Sequence, residues 1–284
     1  CYLPNNGGYH DDSIDIQINV TYWTQDLQQV DAPGEGTTTV MSARVKLTDV
    51  SQFRTGFANK YPSKQARHVN DMTKRFNAVM GIDGDYCLYH EQGIVVRNGQ
   101  TLRMRPHKGR DELIVDENGD FHLITCTTQA KWDEYIAGGG TVLHAFCFGP
   151  ALVVDGVPLT SLDGVTIDNG KAKKAQRMVI GQVGKLEYLI LTNEGPESTA
   201  PKSVGFDLVQ MANLCVQFGL DNAYNLDGGS SSTIALNNQK INSPSSHKNR
   251  MVGDCIWFAT LVKEETWREE SKESVQTVED KKSK

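Results

Sequence analysis

The stretch Asn225-Leu226-Asp227-Gly228-Gly229-Ser230-Ser231-Ser232-Thr233 decides how the rest of the chain is read. Before it, Leu220 to Tyr224 ends in an apolar, aromatic, strand-like step. After it come Ile234-Ala235-Leu236, the pair Asn237-Asn238, and Lys240-Ile241. The pattern predicts strand, tight turn, strand, with a second turn at the Asn pair. Asp227-Gly228-Gly229 suits a turn that needs positive φ, because glycine has no Cβ to clash there. Hydroxyl residues follow directly. Such a turn sets backbone N–H groups beside hydroxyls and one carboxylate, which together can cradle an anionic oxygen. An ordinary hairpin with a polar tip shares this short signature, so support must come from elsewhere in the chain. The turn leads into a strand rather than a helix, which separates it from a P-loop.

The chain has 284 residues, enough to bury a sizeable core. Net charge is −6 and no Lys/Arg stripe occurs, so there is no electrostatic footprint for nucleic acid. No long uninterrupted apolar run appears, and no transmembrane helix is expected. The sequence starts at Cys1 without methionine and reads as processed or truncated; membrane association is expected only through an N-terminal anchor outside it. Cys1, Cys87, Cys126, Cys147, Cys215 and Cys255 form no C-x-x-C pair, which argues against zinc. Cys215 reads as a core thiol on a helix, and Cys87 and Cys255 are candidates to pair. No histidine has ligand spacing.

Ile14, Ile16, Ile18 and Val20 alternate as a half-buried strand, and Val40 to Val50 alternates again. Pro62-Ser63 predicts a helix start, with Ser63 as N-cap and Ala66, Val69, Met72 and Phe76 on one core-facing side. Val79 to Ile82 returns to strand and ends in Asp83-Gly84-Asp85-Tyr86. Gly93 to Gly99 predicts a hairpin turning at Asn98-Gly99. Another hairpin spans 112 to 124, and a short helix spans Thr128 to Ala137. Ala145 to Val154 reads as one buried strand, and Leu186 to Thr192 as another that ends in Asn193-Glu194-Gly195-Pro196. Ser203 to Phe218 is the clearest helix, capped by Ser203 and ended by Gly219. Arg250 to Ala259 closes the fold as a strand. Residues 263–284 are charged and predict a solvated helix or disordered tail. The mixture of elements predicts an α+β fold: mixed, largely antiparallel sheets with packed helices, in a single domain over residues 10–262.

Several of these segments, in this order, resemble one family. Asn225 to Thr233 is similar to the Asn-Leu-Asp-Gly-Gly-Gly-Ser-Ser-Thr signature of the phosphodiester glycosidases, with Ser230 at the third glycine. If that position needs positive φ, Ser230 is strained or the turn differs. Asp83-Gly84-Asp85-Tyr86 resembles the family's Asn-Gly-x-Phe/Tyr, with aspartate replacing asparagine. The alternative for that segment is a turn capped by two carboxylates. Gly149 to Gly156 and Arg177-Met178-Val179-Ile180-Gly181 also match family segments. Arg250 fits an arginine placed at the last strand, and Glu194-Gly195-Pro196 stands where Asp-Gly-Arg or Asp-Gly-Gln is common. The resemblance runs from about Ala66 to Ala259 and is strongest from Arg177 onward.

The resemblance implies a hydrolase cleaving a sugar-1-phosphodiester, of the N-acetylglucosamine-1-phosphodiester kind, in an extracytoplasmic glycan. The alternative is a carbohydrate-binding or exopolysaccharide assembly protein without turnover. The residues suit the reaction. Substrate and departing phosphomonoester are both anionic, so fixed arginines and backbone N–H groups must face them. Arg177, Arg250 and the Gly228-Gly229-Ser230-Ser231 backbone are the candidates; the alternative for Arg177 is a surface ion pair, and the agreement of the neighbouring motifs favours the functional role. One carboxylate must activate water or support the anomeric centre. Asp227 is the first candidate, with Glu194, Asp83 and Asp85 as the others; Asp83, Gly84, Asp85 and Gly195 are also expected to bind substrate. No cofactor is expected to be required, and the carboxylates could alternatively hold Ca²⁺ or Mg²⁺.

Overall fold

A computed structural model describes residues 7–166, 173–198, 202–242 and 249–262. The tail 263–284, Cys1 and most of the polar loop 242–249 lie outside these residues. Three sheets account for most of the rest, and their ladders are antiparallel. The largest has nine strands. Its middle runs Ile14–Trp23, Thr38–Leu47, Glu187–Asn193, Arg177–Gly184, Asn222–Asn225 and Ala151–Val154, side by side. A five-stranded sheet orders Phe121–Ile124, Glu112–Val115, His144–Phe146, Gly93–Arg97 and Gln100–Arg105. The third, also of five strands, orders Gln239–Lys240, Ile234–Leu236, Met80–Asp83, Asp254–Phe258 and Phe53–Phe57.

Alternation explains how these sheets meet. Ile14, Ile16, Ile18 and Val20 point inward while Gln17 and Asn19 face solvent, and the strand runs on to Trp23. One apolar cluster draws on all three sheets, with Ile16 and Ile190 from the first, Leu113 and Phe146 from the second, and Ile82 and Phe258 from the third. Phe53 sits within it, its ring 5.1 Å from Tyr188 and 5.4 Å from Phe258, both edge-on. Among the described residues three short helices pack outside: α1 (Val69–Phe76), α2 (Gln129–Ala137) and α3 (Leu208–Gln217). The chain is therefore predominantly β, and its sheets are antiparallel with helices on their outer faces, as the α+β reading expects.

Several local expectations are corrected. The central motif is not a hairpin. Asn222–Asn225 lies in the largest sheet and Ile234–Leu236 in the third, so the stretch between them crosses from one sheet to another. The hairpin after it, turning at Asn237-Asn238 with φ of 49° and 63°, is present. The run 145–154 is two strands in different sheets, because Gly149 turns at φ 67° and Pro150 brings no N–H to a ladder. Helix α1 begins after His68, not at Pro62; Ser63 Oγ instead accepts from the Gln65 amide at 3.3 Å. Helix α3 begins after Asp207, which forms a capping box with Gln210, while Ser203 Oγ accepts from the Thr39 amide at 3.1 Å. Cys87 and Cys255 are free thiols, and Cys215 is buried as expected.

Candidate active site

The crossing segment is built on backbone hydrogen bonds from both sheets. Asn225 pairs with Val179 in the largest sheet, and Leu226 N donates to Met178 O at 2.8 Å. Asp227 N then donates to Gly84 O at 3.2 Å, which reaches the end of strand Met80–Asp83 in the third sheet. Gly229 N donates to Gln176 O at 3.0 Å. The two central glycines are needed for different reasons. A Cβ on Gly228 would lie 2.9 Å from Gln176 O, whereas Gly229 has open space around it but φ of 62°. Ser230 sits inside the 3₁₀ turn Gly229–Ser231 without positive φ, so a serine is accommodated where the family signature has glycine.

A cavity of about 310 Å³ opens over this turn. Of the residues expected from the sequence, Asp227, Arg177, Gly228, Gly229, Ser230 and Arg250 line it. Ser231 is buried beside them. Asp83, Gly84, Asp85, Glu194 and Gly195 do not line the cavity; they are buried around it. Sequence reasoning did not single out Tyr86, Phe148, Lys173, Glu197 or Asn225, all on the cavity wall. Tyr86 and Asn225 belong to motifs already recognised, so their neighbours were a usable signal. Asn225 Nδ2 donates to Gly149 O at 2.8 Å, while its Oδ1 is buried with no partner among the described residues. A buried lone acceptor on a cavity wall is a position for a ligand hydroxyl.

The charges are tuned by burial. Asp227 is 8% exposed, and burial pushes its carboxyl up to about 6 against the opposing pull of the Ser231 hydroxyl, the Arg250 guanidinium and the Gly228 amide. That amide donates to Asp227 Oδ1 at 2.9 Å and orients the carboxylate. Burial lowers Arg177 to about 10, which leaves it cationic at neutral pH. Its Nη2 donates to Lys173 O at 2.6 Å and its Nε to Phe206 O at 3.3 Å. Arg250 stands over Tyr86, 5.8 Å from the ring centre. Burial, reinforced by the charge of Asp227, raises Asp83 well above the usual carboxylate range. Its Oδ1 accepts from Thr233 N at 2.8 Å. Glu194 Oε2 accepts from Gln176 Nε2 at 2.8 Å, the same glutamine whose carbonyl holds Gly229.

Behind the turn lies a buried ionic cluster. Arg97 Nη2 is 3.0 Å from Asp85 Oδ1 and 3.2 Å from Asp254 Oδ2. Burial would raise Asp85, but Arg97 and the Cys147 amide hold it below the usual range. Burial and the charge of Asp85 raise Asp254. Gly84 leaves the space that the Asp254 carboxylate occupies, and Gly84 N donates to Asp254 O at 3.1 Å. The cluster therefore holds Gly84, and Gly84 O holds the Asp227 amide. Asp85, Cys87 and Asp254 also bring ligand-type atoms within 4.8 Å of one another. Arg97 already supplies positive charge there, and burial keeps the Cys87 thiol protonated.

The site lies within a region that matches known proteins. Residues 76–259 match the family model of the phosphodiester glycosidases. The chain belongs to that family. The match runs from the end of α1 through the Asp227 turn to the last strand of the third sheet. Among solved structures, the fold is similar to the zebrafish N-acetylglucosamine-1-phosphodiester alpha-N-acetylglucosaminidase catalytic domain auto-inhibited by its pro-peptide. Identity is 14%, with 88% of this chain and 85% of that one covered at a TM-score of 0.67. It is also similar to a hypothetical protein from Synechocystis, at 13% identity, 87% and 62% coverage and a TM-score of 0.57. A Burkholderia pseudomallei protein described as exported matches at 15% identity, 81% and 75% coverage and a TM-score of 0.53. At these identities the likeness is one of fold. No curated protein matches the sequence.

Proposed function

We propose that this phosphodiester glycosidase family member hydrolyses a sugar-1-phosphodiester. One observation carries the proposal: Asp227, with its carboxyl raised to about 6, shares a cavity wall with Arg177 and Arg250. The Gly228, Gly229 and Ser231 amides are engaged within the protein rather than offered to a ligand as the sequence suggested, so the two guanidiniums are the groups that face the phosphate and stabilise the negative charge that grows on the leaving phosphomonoester. Asp227 takes a proton from water as the oxygen adds to the anomeric carbon and the bond from that carbon to the phosphate oxygen breaks. A phosphomonoester leaves readily as an anion, so the second carboxylate of ordinary glycosidases has less to do. Asn225 Oδ1 is suited to accept from a sugar hydroxyl, and Tyr86 and Phe148 add aromatic surface at the sugar site. Glu194 acts through Gln176, and Asp83, its carboxyl raised by burial and by the charge of Asp227, lies behind Asp227 and holds the Thr233 amide.

The sugar proposed is N-acetylglucosamine, after the zebrafish enzyme of similar fold. A setting outside the cytoplasm draws on the similar protein described as exported. The two arginines supply the positive charge a metal would bring, so no cofactor is needed in this scheme. The test is release of p-nitrophenyl phosphate from p-nitrophenyl N-acetylglucosamine-1-phosphate, with and without EDTA. Turnover in both conditions is expected. Turnover lost to EDTA would make the carboxylates ligands, and saturable binding without turnover would favour a glycan-binding protein.

A further inference from the structure

A second groove, about 570 Å³ in volume, is lined by Tyr61, Lys64, Leu88, Tyr89, Leu102 and Arg105, among others. It is joined to the candidate active site by one aromatic pair. Tyr86 lines the active-site cavity, and Tyr89 lines the groove. Their rings are stacked with centres 4.6 Å apart and planes 26° apart. The two openings therefore flank a platform about one ring stack thick.

The platform is held rigidly. Arg103 donates to four carbonyls of the segment that carries it: Cys87 O at 2.8 Å, His90 O at 2.6 Å, Gln92 O at 2.7 Å and Gly93 O at 3.1 Å. Tyr89 Oη donates to Lys64 O at 3.1 Å, which ties the platform to the opposite wall of the groove. Tyr86 stands at φ 58°, a backbone state that a bulky aromatic adopts only where its surroundings impose it. Strain of that kind gathers where a side chain must be aimed. Besides Tyr89 the groove carries a second tyrosine, Tyr61, whose ring lies 5.4 Å from Phe57. Its exposed cations are Lys64 and Arg105, and its exposed anion is Glu91, 3.8 Å from Arg105. The Arg103 charge adds to the positive side, so the groove is net cationic.

Two tyrosines, Tyr89 and Tyr61, in a cationic groove fit a chain of sugar rings that carries negative charge. Aromatic faces cover the apolar faces of sugars at little entropic cost, and the cations offset the anionic links. The geometry points to a substrate chain: the groove binds further units of an anionic glycan whose scissile phosphodiester lies in the Asp227 cavity. The substrate is then an oligomer or polymer rather than a single sugar phosphodiester. Cleavage of such a chain presupposes the activity proposed above.

The test compares a synthetic tetramer of N-acetylglucosamine units joined by 1-phosphodiester links with p-nitrophenyl N-acetylglucosamine-1-phosphate. Affinity is measured by calorimetry on the Asp227→Asn protein, and kcat/KM on the wild type. The tetramer is expected to bind about tenfold more tightly than the monomer, a gain typical of one added aromatic contact. Arg105→Ala and Tyr61→Ala should each shrink that advantage, and the double variant should abolish it. Arg105 is exposed, so its variant keeps the fold and stands as the decisive one. Equal affinities for tetramer and monomer, or an advantage unchanged in both variants, would overturn the inference. A variant-dependent advantage with no hydrolysis of either compound would keep the groove as a glycan site and sink the catalytic proposal instead.

Discussion

Replacing Asp227 with asparagine should cut turnover sharply and at the same time stabilise the fold at neutral pH. The carboxyl is raised from 3.8 to about 6, chiefly by burial. Below pH 3.8 the group is neutral in folded and unfolded chains alike, and the penalty vanishes. As pH rises from 3.8 through about 6, the unfolded chain releases its proton first, so stability falls. Above that range the folded protein carries the whole cost, about 3 kcal/mol at roughly 1.4 kcal/mol per pKa step. Asparagine is neutral at every pH, and its Oδ1 can still accept from the Gly228 amide. Urea unfolding at pH 7.5 should show the variant about 2–3 kcal/mol more stable, and at pH 3.5 the two proteins should coincide. Turnover should fall by about 10²–10⁴-fold, the usual worth of a positioned base. In the wild type, kcat/KM should drop about tenfold per pH step below the Asp227 pKa. A stability difference that does not change with pH would refute the burial argument. An asparagine variant that keeps wild-type turnover would refute the role in chemistry.

Further perturbations test other parts of the site. Arg177→Lys should lower kcat/KM by about 10²-fold and cost about 1–3 kcal/mol of stability, because a point charge cannot reproduce the planar fork or keep both bonds to Lys173 O and Phe206 O; steady-state kinetics and urea unfolding decide it. Arg97→Leu should cost about 3–5 kcal/mol in urea unfolding, since it strands Asp85 and Asp254 in the interior. Loss below about 1 kcal/mol would show that the cluster relaxes or takes up protons at little expense. Gly228→Ala should lose both stability and activity, because its Cβ meets the Gln176 carbonyl. Gly229→Ala should cost about 1–2 kcal/mol for its left-handed backbone alone, so melting and activity together rank the two glycines.

Much of the candidate site was legible because its signals are local. Asp227-Gly228-Gly229 announces positive φ and close backbone approach, and both occur, one at each glycine. Arg177 and Arg250 stand beside recognisable segments, and both reach the cavity. Asn98-Gly99 and Asn237-Asn238 turn their hairpins because the left-handed states they need are encoded in the residues themselves. The start of α3 was also readable, since Asp207 and Gln210 form a capping box three residues apart. Ser203 drew the prediction because propensity does not know that its hydroxyl is engaged by Thr39, 164 positions away in sequence.

By itself, the amino-acid sequence determined the strands, their turns and the chemical character of the Asp227 segment, all of which depend on neighbouring residues. The tertiary structure decided which sheet each strand joins. Ala145–Val154 reads as one strand and Asn222–Leu236 as one hairpin in sequence, yet each divides between two sheets. Ladder partners come from distant parts of the chain, and alternation within one strand cannot name them. The same long-range pairing buries Asp85 and Asp254 around Arg97 and leaves Asp227 at the cavity wall. These carboxylates look alike in sequence. Their different surroundings hold one as an ion, raise another, and bring a third to a pKa near 6.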